Sequence, residues 1–406
     1  MTKETPKTNR PKVLAYYFPD WHKDVRNAAW FGPGWDEWKL LSEATPRFEG
    51  HRQPRIPLHG TFDEATPESA GQQIRLAKEY GVDGFLVDYY WYDDGPYLQR
   101  ALDEGILKAD NNIDIEFALM WANHELVDIF PHAHPDNAQA TRLKDGALDR
   151  AAFEAMVYHI VGHYFSRPNY LTVDGRPWFT VYDVPNFVAG LGGIEEAADA
   201  LAWFDSEVQR AGFPGVHLDA VLWSSEVLPT AEAQHTPASL VGQLGFRSAT
   251  SYIWVHQADL ATFDFPTSQI KPLREAAFRE YERYASQLDI PFYPNVTVGW
   301  DPSPRTNQDQ VFTEGRYPWT PIWDPTPQEF EDGLREAKSF LERHTPTNPI
   351  ITINAWNEWT EGSVLLPDSH NGYRFLEAIR NVFGATPPAE DRPAVDAEKE
   401  RKSNAG

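Results

Sequence analysis

Eight short runs of apolar, β-branched or aromatic residues recur along the chain, at 13–19, 82–91, 115–123, 177–184, 218–224, 248–254, 292–300 and 350–356. Several are apolar at consecutive rather than alternate positions, the pattern of strands buried on both faces. Between them the apolar period lengthens to that of helices. Ala70, Ile74 and Ala77 share one face, opened by Thr66-Pro67 and closed by Gly81. Ile194, Ala198, Leu201 and Val208 share another, closed by Gly212, and Phe330, Leu334, Ala337 and Leu341 a third, opened by Thr326-Pro327. Thr236-Pro237 repeats the start signal. Threonine caps orphan amides there, and proline fits the first turn, where no N–H is missed.

Eight strands alternating with helices predict an α/β fold, a (β/α)8 TIM barrel. A doubly wound open sheet is the competing architecture. Against it, the turn after the first strand reads Phe18-Pro19-Asp20-Trp21 and not a glycine-rich dinucleotide loop. The first connection, from Asp20 to about Ala65, is long enough to be a functional excursion over the barrel mouth. The barrel is expected over 12–385, with a flexible lead at 1–11 and a disordered, proline-containing tail at 386–406. The polar lead lacks the apolar core of a secretory signal, so a cytoplasmic location is expected.

Composition narrows the chemistry. The 406 residues carry 36 Lys and Arg against 60 Asp and Glu, a formal charge of −24, which disfavours nucleic acid or an anionic membrane as partner. Cysteine is absent, which excludes thiolate chemistry and disulfides. Aromatic residues make up 14% of the chain, including 15 Trp, and their positions matter more than their number.

Barrel chemistry lies where the strands run out at their C-terminal ends. There the sequence places Tyr17, Asp20 and Trp21; Asp88, Tyr90 and Trp91; Trp121, Asn123 and His124; Tyr182 and Asp183; Trp223; Tyr252 and Trp254; Trp300 and Asp301; and Asn354, Trp356 and Asn357. Indole plates interleaved with carboxylates and amides suit a sugar, whose C–H faces stack while its hydroxyls hydrogen-bond. A carbohydrate substrate is expected, with these residues as its contacts. Glu358 and Glu361 follow the last strand, bracketed by Trp and Gly. Glycoside cleavage needs two carboxyl groups, one to give a proton and one ionised. Asp88, Asp183 and Asp301 stand in reserve as a third carboxylate. His22, His51, His59, His124, His132 and His134 show no H-E-x-x-H spacing, so no catalytic metal or other cofactor is expected.

Further segments join this set: Ala15-Tyr16-Tyr17-Phe18-Pro19, Trp35-Asp36-Glu37-Trp38, Gly50-His51-x-Gln53-Pro54, Gly81-Val82-Asp83-Gly84-Phe85 and Gly299-Trp300-Asp301. The most specific is Asn354-Ala355-Trp356-Asn357-Glu358-Trp359-x-Glu361-Gly362. In this order, over roughly residues 12–384, the chain resembles the WbsX-like, glycoside hydrolase family 99-like group. The resemblance implies a retaining, endo-α-mannosidase-like glycosidase. The residue matching Glu358 would deprotonate the sugar 2-hydroxyl, which attacks the anomeric carbon. The one matching Glu361 would act as general acid and then general base. A glycosyltransferase of surface-polysaccharide assembly is the alternative, and a non-catalytic glycan-binding barrel a third possibility. One departure stands out: after Trp121-Ala122-Asn123, where the group's pattern continues Glu-Asn-Trp, this chain has His124-Glu125-Leu126.

Overall fold

The computed structural model describes residues 10–128, 131, 141–224 and 238–384. Residues 1–9 of the expected lead, the whole expected tail at 386–406, His132, His134 and the Thr236-Pro237 signal lie outside the described residues. Each of the eight apolar runs holds one strand of a parallel barrel. These are β1 (Lys12–Tyr17), β2 (Gly84–Tyr92), β3 (Glu116–Trp121), β4 (Arg176–Val181), β5 (His217–Val221), β6 (Ser248–Thr250), β7 (Phe292–Tyr293 and Asn295–Thr297) and β8 (Ile350–Asn354). β1 pairs with β2 on one side and with β8 on the other. Proline cannot donate to a ladder, and β7 is broken at Pro294. Its first half pairs with β6, Ala249 against Phe292, and its second with β8, Val296 against Ile353, which closes the sheet.

The helices follow their sequence signals with one shift. α3 (Pro67–Tyr80) starts at Thr66, whose hydroxyl accepts from Ser69 N, and ends at left-handed Gly81. α6 (Pro327–His344) opens with a reciprocal capping box between Thr326 and Glu329 and buries the predicted face. α5 (Ile194–Arg210) instead turns Ala197, Ala200, Leu201, Phe204 and Val208 to the core and leaves Ile194 exposed. Phe204 and the small alanines fit the barrel wall more closely than the face through Ile194 and Ala198. The long first connection contains α1 (Val25–Phe31) and α2 (Glu37–Glu43). No described helix is long and apolar enough to cross a membrane.

Candidate active site

The segment after β8 alternates in direction, and that alternation builds the site. Trp356 points outward, where its Nε1 donates to Gln73 Oε1 of α3 at 2.8 Å and its ring meets Phe85. Trp359 packs outward near Trp38 of α2. Asn357 bonds both the N–H and the carbonyl of Phe18 at 2.8 Å, fixing the segment to the end of β1. Glu358 and Glu361 are left facing inward, on a short hairpin that turns at Gly362. That glycine has φ +67°, and a Cβ there would lie 2.7 Å from Asp301 Cβ, so both its handedness and its close approach require glycine.

Both glutamates meet one cation. Arg305 Nη1 donates to Glu361 Oε1 at 2.5 Å, and Nη2 donates to Glu358 Oε1 at 2.9 Å and to Glu37 Oε1 at 3.3 Å. Tyr317 OH accepts from Arg305 Nη1 at 2.7 Å and donates to Glu361 Oε1 at 2.7 Å. These five groups line one cavity at the C-terminal end of the barrel. Its walls are aromatic: Phe18, Phe31, Trp35, Tyr90, Tyr97, Tyr182, Tyr252, His124, His256, Trp300 and Tyr317. Burial pushes the Glu358 carboxyl well up, and the neighbouring charges of Glu361, Glu37 and Asp88 add to this while Arg305 opposes it. Burial likewise raises Glu37, Asp20 and Asp88. It keeps His256 neutral, at about 3, and lowers His124.

Of the strand-end residues singled out in the sequence, Asp20, Asp88, Tyr90, His124, Tyr182, Tyr252 and Trp300 line the cavity with the two glutamates. The remainder do not. Trp91 lies against His159, Trp121 between Phe153 and Phe187, and Trp21 against Trp38. Trp254 donates to Asn295 O at 2.9 Å, and Trp223 donates to Tyr182 O and stacks on His256 behind the cavity wall. Tyr17 packs on Phe85, and Asn354 is fully buried beneath Ser363, whose hydroxyl donates to its carbonyl. Successive strand residues face opposite sides, and most of these indoles turn outward into the helix layer. Trp300 is the one strand-end tryptophan of the set in the cavity, and tyrosines are the most numerous residue of the aromatic wall.

Two reserve aspartates have structural partners. The Asn123 side chain donates to the carbonyl of Asp183 at 2.7 Å and accepts from its N–H at 2.8 Å, and Asp183 caps α4 (Val184–Leu191). Asp183 is raised to about 6 by burial. Asp301 accepts from His51 Nε2 at 2.9 Å and Gln53 Nε2 at 2.7 Å, and its own N–H donates to Glu361 O. Burial would raise it, but His51 and Arg55 hold it down at about 2. Sequence reasoning did not single out Arg305, Tyr317 or His256, and it included Glu37 only within a motif. Arg305 lies four residues past Trp300-Asp301, in a loop without a periodic signal. Among the described residues, no three His, Asp or Glu side chains converge as a metal-ligand set.

A sequence profile of the family described as Glycosyltransferase WbsX matches residues 13–379. The chain is 29% identical over 398 residues to the uncharacterised protein WxcX of Xanthomonas campestris pv. campestris strain B100, covering 95% of this chain and 51% of that protein. It therefore spans about half the length of the curated relatives it matches. The fold is similar to the GH99 endo-alpha-mannosidase from Bacteroides thetaiotaomicron, with a TM-score of 0.52 at 15% identity, covering 92% of this chain and 96% of that one. A second structure, described as a glycoside hydrolase-like protein, gives a TM-score of 0.60 at 12% identity over 93% and 95% of the two chains.

Proposed function

The chain belongs to the WbsX glycosyltransferase family, and on that premise we propose that it is a glycoside hydrolase acting on an oligo- or polysaccharide with retention of configuration. One observation carries the reading: Glu358 and Glu361 sit on the two ends of a single guanidinium, inside an aromatic-walled cavity at the catalytic end of a barrel. Two carboxyl groups so close repel, and one of them is driven toward the protonated form. Glu358, the more deeply buried, has the raised basicity that a base facing a weakly acidic hydroxyl needs. In the proposed first step Glu358 takes the proton of the sugar 2-hydroxyl, O2 bonds to C1, and the C1–O bond breaks as Glu361 protonates the departing oxygen. In the second, Glu361 takes a proton from water, the water oxygen bonds to C1 as the C1–O2 bond breaks, and Glu358 returns its proton to O2. The protons balance over the cycle, and no covalent adduct with the protein forms. Asp88 lines the same cavity and is the alternative nucleophile of an ordinary double displacement.

A second reading, sugar transfer from an activated donor, is favoured by the family's description. Against a diphosphate-linked donor stands the cavity's charge, since among the described residues its lining carries six carboxyl side chains and one Arg or Lys, Arg305. A dianionic group would be repelled there. The test is a panel of aryl glycosides and oligosaccharides, with product configuration followed by NMR. Cleavage with retention that falls by ~10²–10⁴-fold in Glu361→Gln is expected. Undiminished cleavage in that variant, or an inverted product, would overturn the assignment.

A further inference from the structure

Resting on the hydrolase reading above, we propose that the sugar held in the cavity carries a free amino group, and that Asp88 is the residue that receives it. Asp88 stands at the end of β2, 3% exposed, among the cavity-lining residues. Its Oδ2 accepts from Tyr252 OH at 3.1 Å, while its Oδ1 has no hydrogen-bond partner among the described residues. A buried carboxyl oxygen without a donor is costly to leave so, and a ligand's donor removes that cost. Among the described residues, the nearby cations are committed elsewhere. Arg305 is shared by Glu37, Glu358 and Glu361, and Glu125 at the cavity edge pairs with Arg142. Neither imidazole of the lining supplies a charge, since burial keeps both His124 and His256 toward the neutral form.

The surroundings of Asp88 distinguish an ammonium from a hydroxyl. Tyr182 and Tyr252 meet edge to face at 5.2 Å, and His124 stands edge-on to both Tyr90 and Tyr182, at 5.8 and 5.9 Å. Aromatic faces around a carboxylate attract a cation through the ring quadrupole, and most strongly where water is excluded. A hydroxyl would satisfy Oδ1 but would leave the surplus of carboxylates unneutralised. An ammonium does both, and it opposes the burial that pushes the Asp88 carboxyl upward. The 2-position is reserved for the hydroxyl that Glu358 activates, so the amine belongs at C3, C4 or C6.

The experiment is calorimetry of the full chain with methyl hexopyranosides bearing a free amine at C3, C4 or C6, beside their N-acetyl forms and their neutral parents. At least one free amine is expected to bind roughly ten-fold or more tightly than both counterparts at neutral pH, a preference that shrinks with added salt. In Asp88→Asn that preference is expected to fall to less than about three-fold. Equal binding of amine and parent by the unmutated protein overturns the proposal, with no reliance on any variant folding. A preference that persists in Asp88→Asn overturns the role of Asp88. Binding is read without turnover, so failure here is separate from failure of the hydrolase assignment, which the Glu361→Gln cleavage assay reports.

Discussion

Arg305 is the residue on which the electrostatics of the cavity turn. It contacts three carboxylates from two distant segments, Glu37 in the first connection and Glu358 and Glu361 after the last strand. A single buried cation cannot neutralise three anions, so at least one proton is retained in the cluster. Removing the cation takes away the main influence that lowers the Glu358 carboxyl. Arg305→Gln is therefore expected to reduce kcat/KM by ~10²-fold. It is also expected to move the acidic limb of the pH–rate profile upward by about 1–2 units, because a base with a higher pKa ionises only at higher pH. Arg305→Lys would restore part of the limb's position without restoring the two-ended geometry. A profile whose acidic limb stays in place would remove Glu358 from the role of base. The sequence made Glu358 and Glu361 legible because they follow a strand and lie between aromatic anchors. Arg305 was not legible, since nothing local marks a residue whose partners lie 53, 56 and 268 positions away.

At the scale of elements, the excursion after β1 and the turn after β7 act as one clamp. Asp301 takes hydrogen bonds from His51 and Gln53, and its N–H reaches the carbonyl of Glu361. Ser303–Arg305 then turns in a single 3-10 step that delivers the guanidinium. Asp301 is held at about 2, below the ordinary aspartate value. A depressed carboxyl contributes stability that is full above its unfolded pKa and is lost as pH falls through the folded one. The difference between wild type and Asp301→Asn, about 2 kcal/mol at pH 7, is thus expected to close between about pH 4 and pH 2, as read by urea titration at each pH. A gap that stays constant with pH would mean that the clamp is not ionic. The sequence marked the excursion as functional from its length and its Trp, His and Arg content. It did not predict α1 or α2, because helices of seven residues carry too little periodicity to register.

The closed barrel has its own titrating core, below the cavity. Asp219 of β5 accepts from Ser248 Oγ at 2.6 Å and from Thr180 Oγ1 at 3.0 Å, and burial outweighs both bonds to raise it to about 7. The sign is opposite to that of Asp301. A raised carboxyl favours the folded state at low pH, and that contribution declines as pH rises from about 4 to about 7, by roughly 1.4 kcal/mol per unit. Asp219→Asn removes this slope, so the melting temperature of the variant relative to wild type is expected to climb across that interval and level off above it. A flat difference would place the proton elsewhere in the barrel. The sequence by itself determined the strand count, the barrel and the glutamate pair. Each is written in short-range signals: consecutive apolar runs, threonine–proline starts and a carboxylate spacing set by one hairpin. Only the tertiary structure decided which strand-end side chains meet. Direction at a strand end depends on one residue of register and on the volume of the layer behind it. That is why most of the expected tryptophans face the helices, while tyrosines, Asp88 and a distant arginine form the cavity.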